Sequence, residues 1–212
     1  NMVSLLNMEE LKKVKEELER TKRELAILYE VSNAMRTTLK LDEILYIILT
    51  GVTSHIGLGF NRSLLFLVND KDSLIEGKMC IGPEDGNEAN RVWTQIEQER
   101  KNLDDLINAY KFTADTVLNN SFNRQLRHLK IPLREQSGGL LALGILDGMP
   151  LHLTHETVHK YAHDPVVQLL KTDEMAVVPL KAKDKVNGII LADNFITKKP
   201  ITKDSLQMLI ML

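Results

Sequence analysis

Apolar residues recur every three or four positions through residues 9–30, EELKKVKEELERTKRELAILYE, a run without glycine or proline in which good helix formers fill the remaining sites. Counting Leu11 as heptad position a puts Leu11, Val14, Leu18, Thr21, Leu25 and Leu28 on one stripe, and Ser32 and Met35 continue the phase. About three heptads is the shortest run that predicts a coiled coil. Glu10, Glu17 and Glu24 then fall at g, and Lys15 and Lys22 at e. A parallel dimer would set Glu10 against Lys15, and Glu17 against Lys22, of a second copy. The same stripe also suits a lone amphipathic helix packed on its own domain.

The helix pattern runs on to about Met35, and a second helix is expected over 43–55, capped by Asp42, with Ile44, Ile47, Ile48 and Val52 as its buried stripe. Gly57 and Gly59 end it. Strands are expected at 60–68 and 74–81 around the turn 69–72. One helix is then predicted over 87–110, with Ala89, Val92, Trp93, Ile96, Leu103, Leu106, Ile107 and Tyr110 on one side; residues 111–124 read as loop, with a short helix over 122–129 and a strand over 129–133. An apolar helix follows at 140–146 and a short strand at 151–153. Thr154 caps a helix from His155, and Asp164-Pro165 gives a second helix start. The strongest hairpin signal pairs 175–180 with 186–192 across 183–185. Both faces of both segments are apolar, which predicts strands covered on two sides in mid-sheet. Pro179 argues instead for an edge or a bulge. Thr202 caps a final helix whose stripe, Leu206, Leu209, Ile210 and Leu212, is unbroken at the last residue, so the native chain is expected to continue.

Composition narrows the function. A formal charge of -2 gives no overall attraction to nucleic acid or to an anionic membrane. Cys80 is the only cysteine, which excludes an internal disulfide or a thiolate metal cluster and points to the reducing cytoplasm. The apolar runs 44–49 and 188–192 are too short to span a bilayer. His152, His155, His159 and His163 lie within twelve residues, and His155 with His159 has the spacing of two metal ligands on one helix face. The pair lacks an obvious acidic ligand on the same helix face, so exposed or rim histidines are the simpler reading. There is no phosphate-binding loop, nucleophile elbow or placed carboxylate pair, so no catalysis is expected.

Two stretches carry a resemblance. LAILYEVSNAMRTTLKLDEILYIILTGVTSHIGLGFNRSLLFLVND at 25–70, and MAVVPLKAKDKVNGIILADN followed by ITKDSLQMLIML at the end, resemble a GAF domain, the PAS-like sensor module of histidine kinases, cyclic-di-GMP enzymes and transcription activators. The middle of the chain resembles the longer variety found in bacterial sensor kinases. The resemblance implies an α+β fold, a central six-stranded antiparallel sheet flanked by helices. Residues 1–24 would be an N-terminal coiled-coil signalling helix, and 25–212 the GAF domain with its final helix truncated.

It also implies a ligand space between the sheet and the helices of 139–147 and 155–171, near Phe66, Met79, Ile81, Leu146, His152, Val167, Leu170 and Val177. The chain departs from the cyclic-nucleotide pattern of the family, because Asp193-Asn194-Phe195 and Lys198 come in the wrong order. It lacks a bilin attachment motif and the several cysteines of the methionine sulfoxide reductases. The expectation is a non-catalytic, cytoplasmic, homodimeric sensor that binds a small molecule and signals through Leu11, Val14, Leu18, Leu25 and Leu28 to an effector such as the histidine kinase of a two-component system. The alternatives are a ligand-free dimerisation or relay module, or a metal sensor using His155 and His159. No cofactor is named by the sequence.

Overall fold

The structure, a computed structural model, describes residues 2–36, 38, 40–55, 57–99 and 101–212, with the side chains of all of these except 2–7, 96–99 and 111. Six strands form one antiparallel sheet: β1 (Arg62–Asn69), β2 (Leu74–Ile81), β3 (Lys130–Pro132), β4 (Leu151–Leu153), β5 (Met175–Ala182) and β6 (Lys185–Asp193), in the order β3-β2-β1-β6-β5-β4. Strand alternation sends Leu64 and Phe66 of β1, Val177 of β5, and Ile189 and Leu191 of β6 to one face; Leu65, Val178, Ile190 and Ala192 take the other. Both faces are covered, which is why the hairpin is apolar throughout.

On one face lie α1 (Met2–Met35), α2 (Leu41–Thr53) and the last helix, Lys203–Met211. Leu45, Tyr46, Leu49 and Val52 of α2 pack on the sheet, while Ile47 turns away to meet Val31 and Ala34 of α1. Because α2 is held between the sheet and α1, it is buried over more than the stripe its periodicity predicts. A Cβ on Gly51 would stand 2.7 Å from Val31 Cγ2, so the missing side chain is what lets α1 seat against α2. Asp42 is not the cap of α2. It sits in the first turn, after Lys40 at the N-cap, and pairs with Lys78 at 3.0 Å.

Residues 86–118 depart most from the expected pattern. They form α3 (Gly86–Glu99), α4 (Leu103–Asn108) and α5 (Tyr110–Leu118) in place of one helix and a loop. The break before α4 is built by a capping box: Asn102 Oδ1 accepts from Asp105 N–H at 2.8 Å, and Asp105 Oδ2 accepts from Asn102 N–H at 2.9 Å. Ile96 of the expected stripe lies outside the described side chains. The polar segment taken as loop is helical as α5, with Tyr110 and Leu118 set against the sheet-facing core.

On the opposite face are α6 (Ser121–His128), α7 (Gly139–Asp147), α8 (His155–Val158) with a 3-10 turn at His159–Tyr161, and α9 (Pro165–Leu170). The final helix, Lys203–Met211, is α10, and Thr202 Oγ1 caps it by accepting from Ser205 N–H. β3 pairs only with Leu74–Glu76, so the far half of β2 needs another neighbour. Buried Asn123 of α6 serves in its place. Its Oδ1 accepts from Cys80 N–H at 2.7 Å and its Nδ2 donates to Cys80 O at 2.9 Å and Val117 O at 2.9 Å. Asn123→Ala orphans these buried backbone groups and is expected to cost about 2–3 kcal/mol. Urea unfolding checks this as a lower midpoint at unchanged slope.

Pro179 pairs in register with Ile189, and the one register shift of the hairpin falls between Leu180 and Lys181. The proline is tolerated because β4 covers only Met175–Val177; at Pro179 the strand is already an edge.

Candidate functional site

Beneath α7 and α9, where the ligand space is expected, lie buried apolar side chains. Asp164, the N-cap of α9, accepts from Val166 N–H through Oδ1 and from Leu140 N–H through Oδ2, both at 2.8 Å, so one carboxylate starts both helices. Gly139, at φ +56, brings the start of α7 so close that a Cβ there would lie 2.1 Å from Asp164 Oδ2. Under the two helices Phe66, Leu170 and Val177 are buried among Leu140, Leu141 and Val166, and Val167 packs at the margin.

The other four expected pocket residues lie elsewhere. Leu146 is 52% exposed on the outside of α7. His152 stands on the outer rim of β4, its Nε2 2.8 Å from Glu174 Oε1. Met79 and Ile81 face the opposite side of the sheet. The cause is a bulge in β2: Leu65 pairs with Met79 but Phe66 with Gly77, so the extra residue Lys78 inverts the alternation. Unbulged, Met79 and Ile81 would share the face of Ile75 and Phe66. His155 and His159 sit edge to face with ring centroids 5.0 Å apart, and no group of three metal-capable side chains gathers among the described residues. Cys80 is buried, and burial pushes its thiol well above the ordinary range, which makes it unreactive.

An open cleft of about 280 Å³ lies on the α2 side instead, walled by α2, α3, α4, α5 and the end of β2. Tyr46 and Thr50 of α2 form its floor, with Trp93 and Glu88 of α3, Leu106 of α4 and Pro83 around them. Tyr46 also meets Tyr110 ring to ring at 4.4 Å. Burial raises the Tyr46 phenol, and the Thr50 and Thr113 hydroxyls pull against that rise. Among the described residues no partner meets Thr50 Oγ1 in good hydrogen-bond geometry. The helices of this wall have a second duty: Leu103 and Ile107 of α4 and Ile47 of α2 are the seat of α1, and Leu212 after α10 reaches the same cluster.

Above that seat α1 stands clear of the domain. Leu11, Val14, Leu18 and Leu25 are exposed, between 52% and 72%, and Leu28 is half-buried. Intrahelical pairs such as Lys12 with Glu16 and Lys22 with Glu19 line its polar side. Arg20 Nη1 donates to Asp204 Oδ2, tying α1 to α10.

No protein-family model matches the sequence, and no curated protein does. Solved structures match in shape over nearly the whole chain. The GAF domain of a phosphoenolpyruvate-protein phosphotransferase from Coxiella burnetii is 14% identical, with a TM-score of 0.59, over 89% of this chain and 87% of that one. The corresponding Acinetobacter domain is 13% identical, with a TM-score of 0.57, over 88% and 85%. The phycocyanobilin-bound GAF domain of a cyanobacterial phytochrome is 14% identical, with a TM-score of 0.54, over 89% and 88%. The chain has the GAF-domain fold.

At the end of the two middle strands, this GAF fold is held by a buried ion pair that neither motif nor composition advertises. Arg62 opens β1 and Asp193 closes β6, and the register sets them opposite each other. Arg62 Nη2 donates to Asp193 Oδ2 at 2.6 Å, and Nε to Oδ1 at 3.1 Å. A further Nη2 bond at 2.8 Å reaches Leu170 O at the end of α9. The guanidinium lies 4.3 Å from the Phe195 ring centre, and Phe195 N–H donates to Asp193 Oδ1. Burial pushes the Asp193 carboxyl above its ordinary range, with Arg62 pulling against it. The signal available in the sequence was a charge at the inner end of each of two apolar strands.

Proposed function

We propose that this GAF domain is a sensory or regulatory module: a small molecule binds it unequally in two conformations, and the difference moves the helices that join it to the rest of a signalling protein. The observation that carries the reading is the double use of α2 and α4, which wall the open cleft on one side and seat α1 on the other. A molecule that spreads or draws together these two helices shifts the base of α1; one with equal affinity for both arrangements moves nothing. The phytochrome GAF domain of similar fold holds phycocyanobilin, and another of similar fold, from A. aeolicus, was captured in an inactive state.

Residues 1–24 act as the signalling helix and 25–212 as the sensor. The stripe of exposed Leu11, Val14, Leu18 and Leu25 with half-buried Leu28 pairs with that of a second copy in a parallel coiled coil, leading to an effector such as a histidine kinase. Among the described residues no helix is long and apolar enough to cross a membrane, and a single cysteine, which is free, supports a cytoplasmic setting.

A thermal-shift panel of metabolites and metal ions tests the sensory reading. A ligand at about one hundred times its Kd adds about 2.7 kcal/mol, which raises Tm by several degrees in a chain of this size. A metabolite that does so supports it. A flat response to the whole panel, with nothing co-purified in native mass spectrometry, favours a relay module; a shift confined to zinc or nickel and abolished by His159→Ala favours metal sensing.

A further inference from the structure

Three properties of the α2-side cleft specify the chemistry of its occupant. Its walls are aromatic and apolar, with Tyr46, Trp93, Pro83 and Leu106 converging on a volume of about 280 Å³. That is near the small end of ligand cavities, about 300–1,000 Å³, and suits a single ring with a short arm. The floor carries a polar group: Thr50 is only 5% exposed, lines the cleft beside the Tyr46 phenol, and among the described residues its Oγ1 meets no partner in good hydrogen-bond geometry. A buried hydroxyl without a partner is uncommon in folded chains and is completed by whatever polar atom occupies the space beside it.

The third property is charge. Glu88 is the only acidic residue in the wall, and no lysine or arginine lines it among the described residues; His55 stands there too and also borders the groove beside α1. Glu88 Oε2 is occupied as an acceptor from Glu84 N–H at 2.7 Å. Among the described residues Oε1 has only a loose pair, 3.9 Å to the exposed Arg91 guanidinium. A carboxylate beside a tryptophan and a tyrosine attracts a cation twice, by its charge and through the ring faces, and repels an anion at close range. Glu88, with no lysine or arginine among the lining residues described, therefore disfavours nucleotides and phosphorylated metabolites here.

We propose that this cleft is a binding site for a small organic monocation, an amine carried on an aromatic or compact apolar body. The body lies among Trp93, Tyr46 and Leu106, the ammonium takes Glu88 Oε1 from Arg91, and a polar atom meets the Thr50 hydroxyl. The site lies on the face of the sheet opposite α7 and α9, away from Phe66, Leu170 and Val177. This names the ligand class for the sensory reading above and rests on that reading only for its signalling consequence.

Trp93 is the only tryptophan of the chain, so its fluorescence reports the cleft directly. Phenethylamine, phenethyl alcohol and phenylacetate share a ring and differ in charge, and none absorbs where tryptophan is excited at its red edge. In the full chain the amine is expected to bind at least about tenfold tighter than the alcohol, and phenylacetate weaker than both. Glu88→Gln should shrink the amine's advantage to less than about threefold, and Thr50→Val should weaken the amine and the alcohol together. The wild-type ranking needs no variant to fold.

Equal or tighter binding of phenylacetate overturns the proposal, as does an amine preference that survives Glu88→Gln. So does the absence of a saturable Trp93 response to all three probes up to about 10 mM. Thermal stabilisation by other compounds with Trp93 silent removes this site and keeps the sensory reading. Amine binding at Trp93 without change in the association or mobility of α1 keeps the site and removes the relay.

Discussion

Arg62→Leu should destabilise the domain by about 3–5 kcal/mol at neutral pH, the cost of leaving one member of a buried pair without the other. Asp193 is 1% exposed, and without the arginine its carboxylate keeps the Phe195 N–H and the more distant Lys198 charge among the described residues. Leu170 O loses its donor at the same time, loosening the end of α9. At about 2–4 °C per kcal/mol for a chain of this length, Tm falls by roughly 10 °C. The loss depends on pH in a definite sense. Burial already raises the Asp193 carboxyl with Arg62 present, and removing Arg62 raises it further. A carboxyl whose folded pKa is raised lends stability below its unfolded pKa, about 4, and loses it as pH rises through the folded pKa. The variant should therefore be closest to wild type near pH 4 and weakest above neutrality. Arg62→Leu/Asp193→Leu should recover most of the loss, since a pair removed together leaves no unpaired charge. Urea unfolding of the three variants at two pH values checks this; a single variant costing under about 1 kcal/mol, or a double variant worse than the single, would show that the pair does not hold the sheet ends.

Leu11→Glu/Leu18→Glu should dissolve the proposed coiled-coil dimer while leaving the fold alone. Both leucines are exposed on the chain itself, so the substitution removes no contact within one copy, and Tm of the dilute protein should change by no more than a degree or two. Across a coiled coil the two changes withdraw four leucines at about 1.5 kcal/mol each and place four carboxylates in the seam, so Kd should rise by about four decades or more. A second arm reads the charges. Glu17→Lys should weaken association, and adding Lys22→Glu should restore it, because the pair is only exchanged. Sedimentation at several concentrations measures all of these. If residues 25–212 alone associate as tightly as the full chain, the heptads of α1 are not what holds two copies together.

The apolar alternation of β1, β5 and β6 made the sheet legible, because side chains on doubly covered strands have no other place to go. What escaped were features set by one residue or by partners distant in sequence. Lys78 inverts β2 and carries Met79 and Ile81 away from Phe66, and no periodicity announces a single inserted residue. KFTADTVL in α5 lacks glycine and proline but looks polar, since Tyr110 and Leu118 at its ends are what it buries. The break before α4 was written in Asn102 and Asp105, three apart, a capping box readable from sequence. Arg62 with Asp193, and the cleft between α2 and α3, needed the register and the fold before their residues could be seen as neighbours.

Pro179 has a last consequence. From Val178 onward β5 has no strand on the side away from β6 among the described residues, and a bare strand edge is a template for pairing with another chain. Here that edge offers a proline with no donor, followed by Lys181 and, in the turn, Lys183. Two copies that approach along it meet like charge and a missing hydrogen bond. The sheet is thereby guarded against edge-to-edge aggregation, and crowding of the domain in long arrays should not seed fibres from this side.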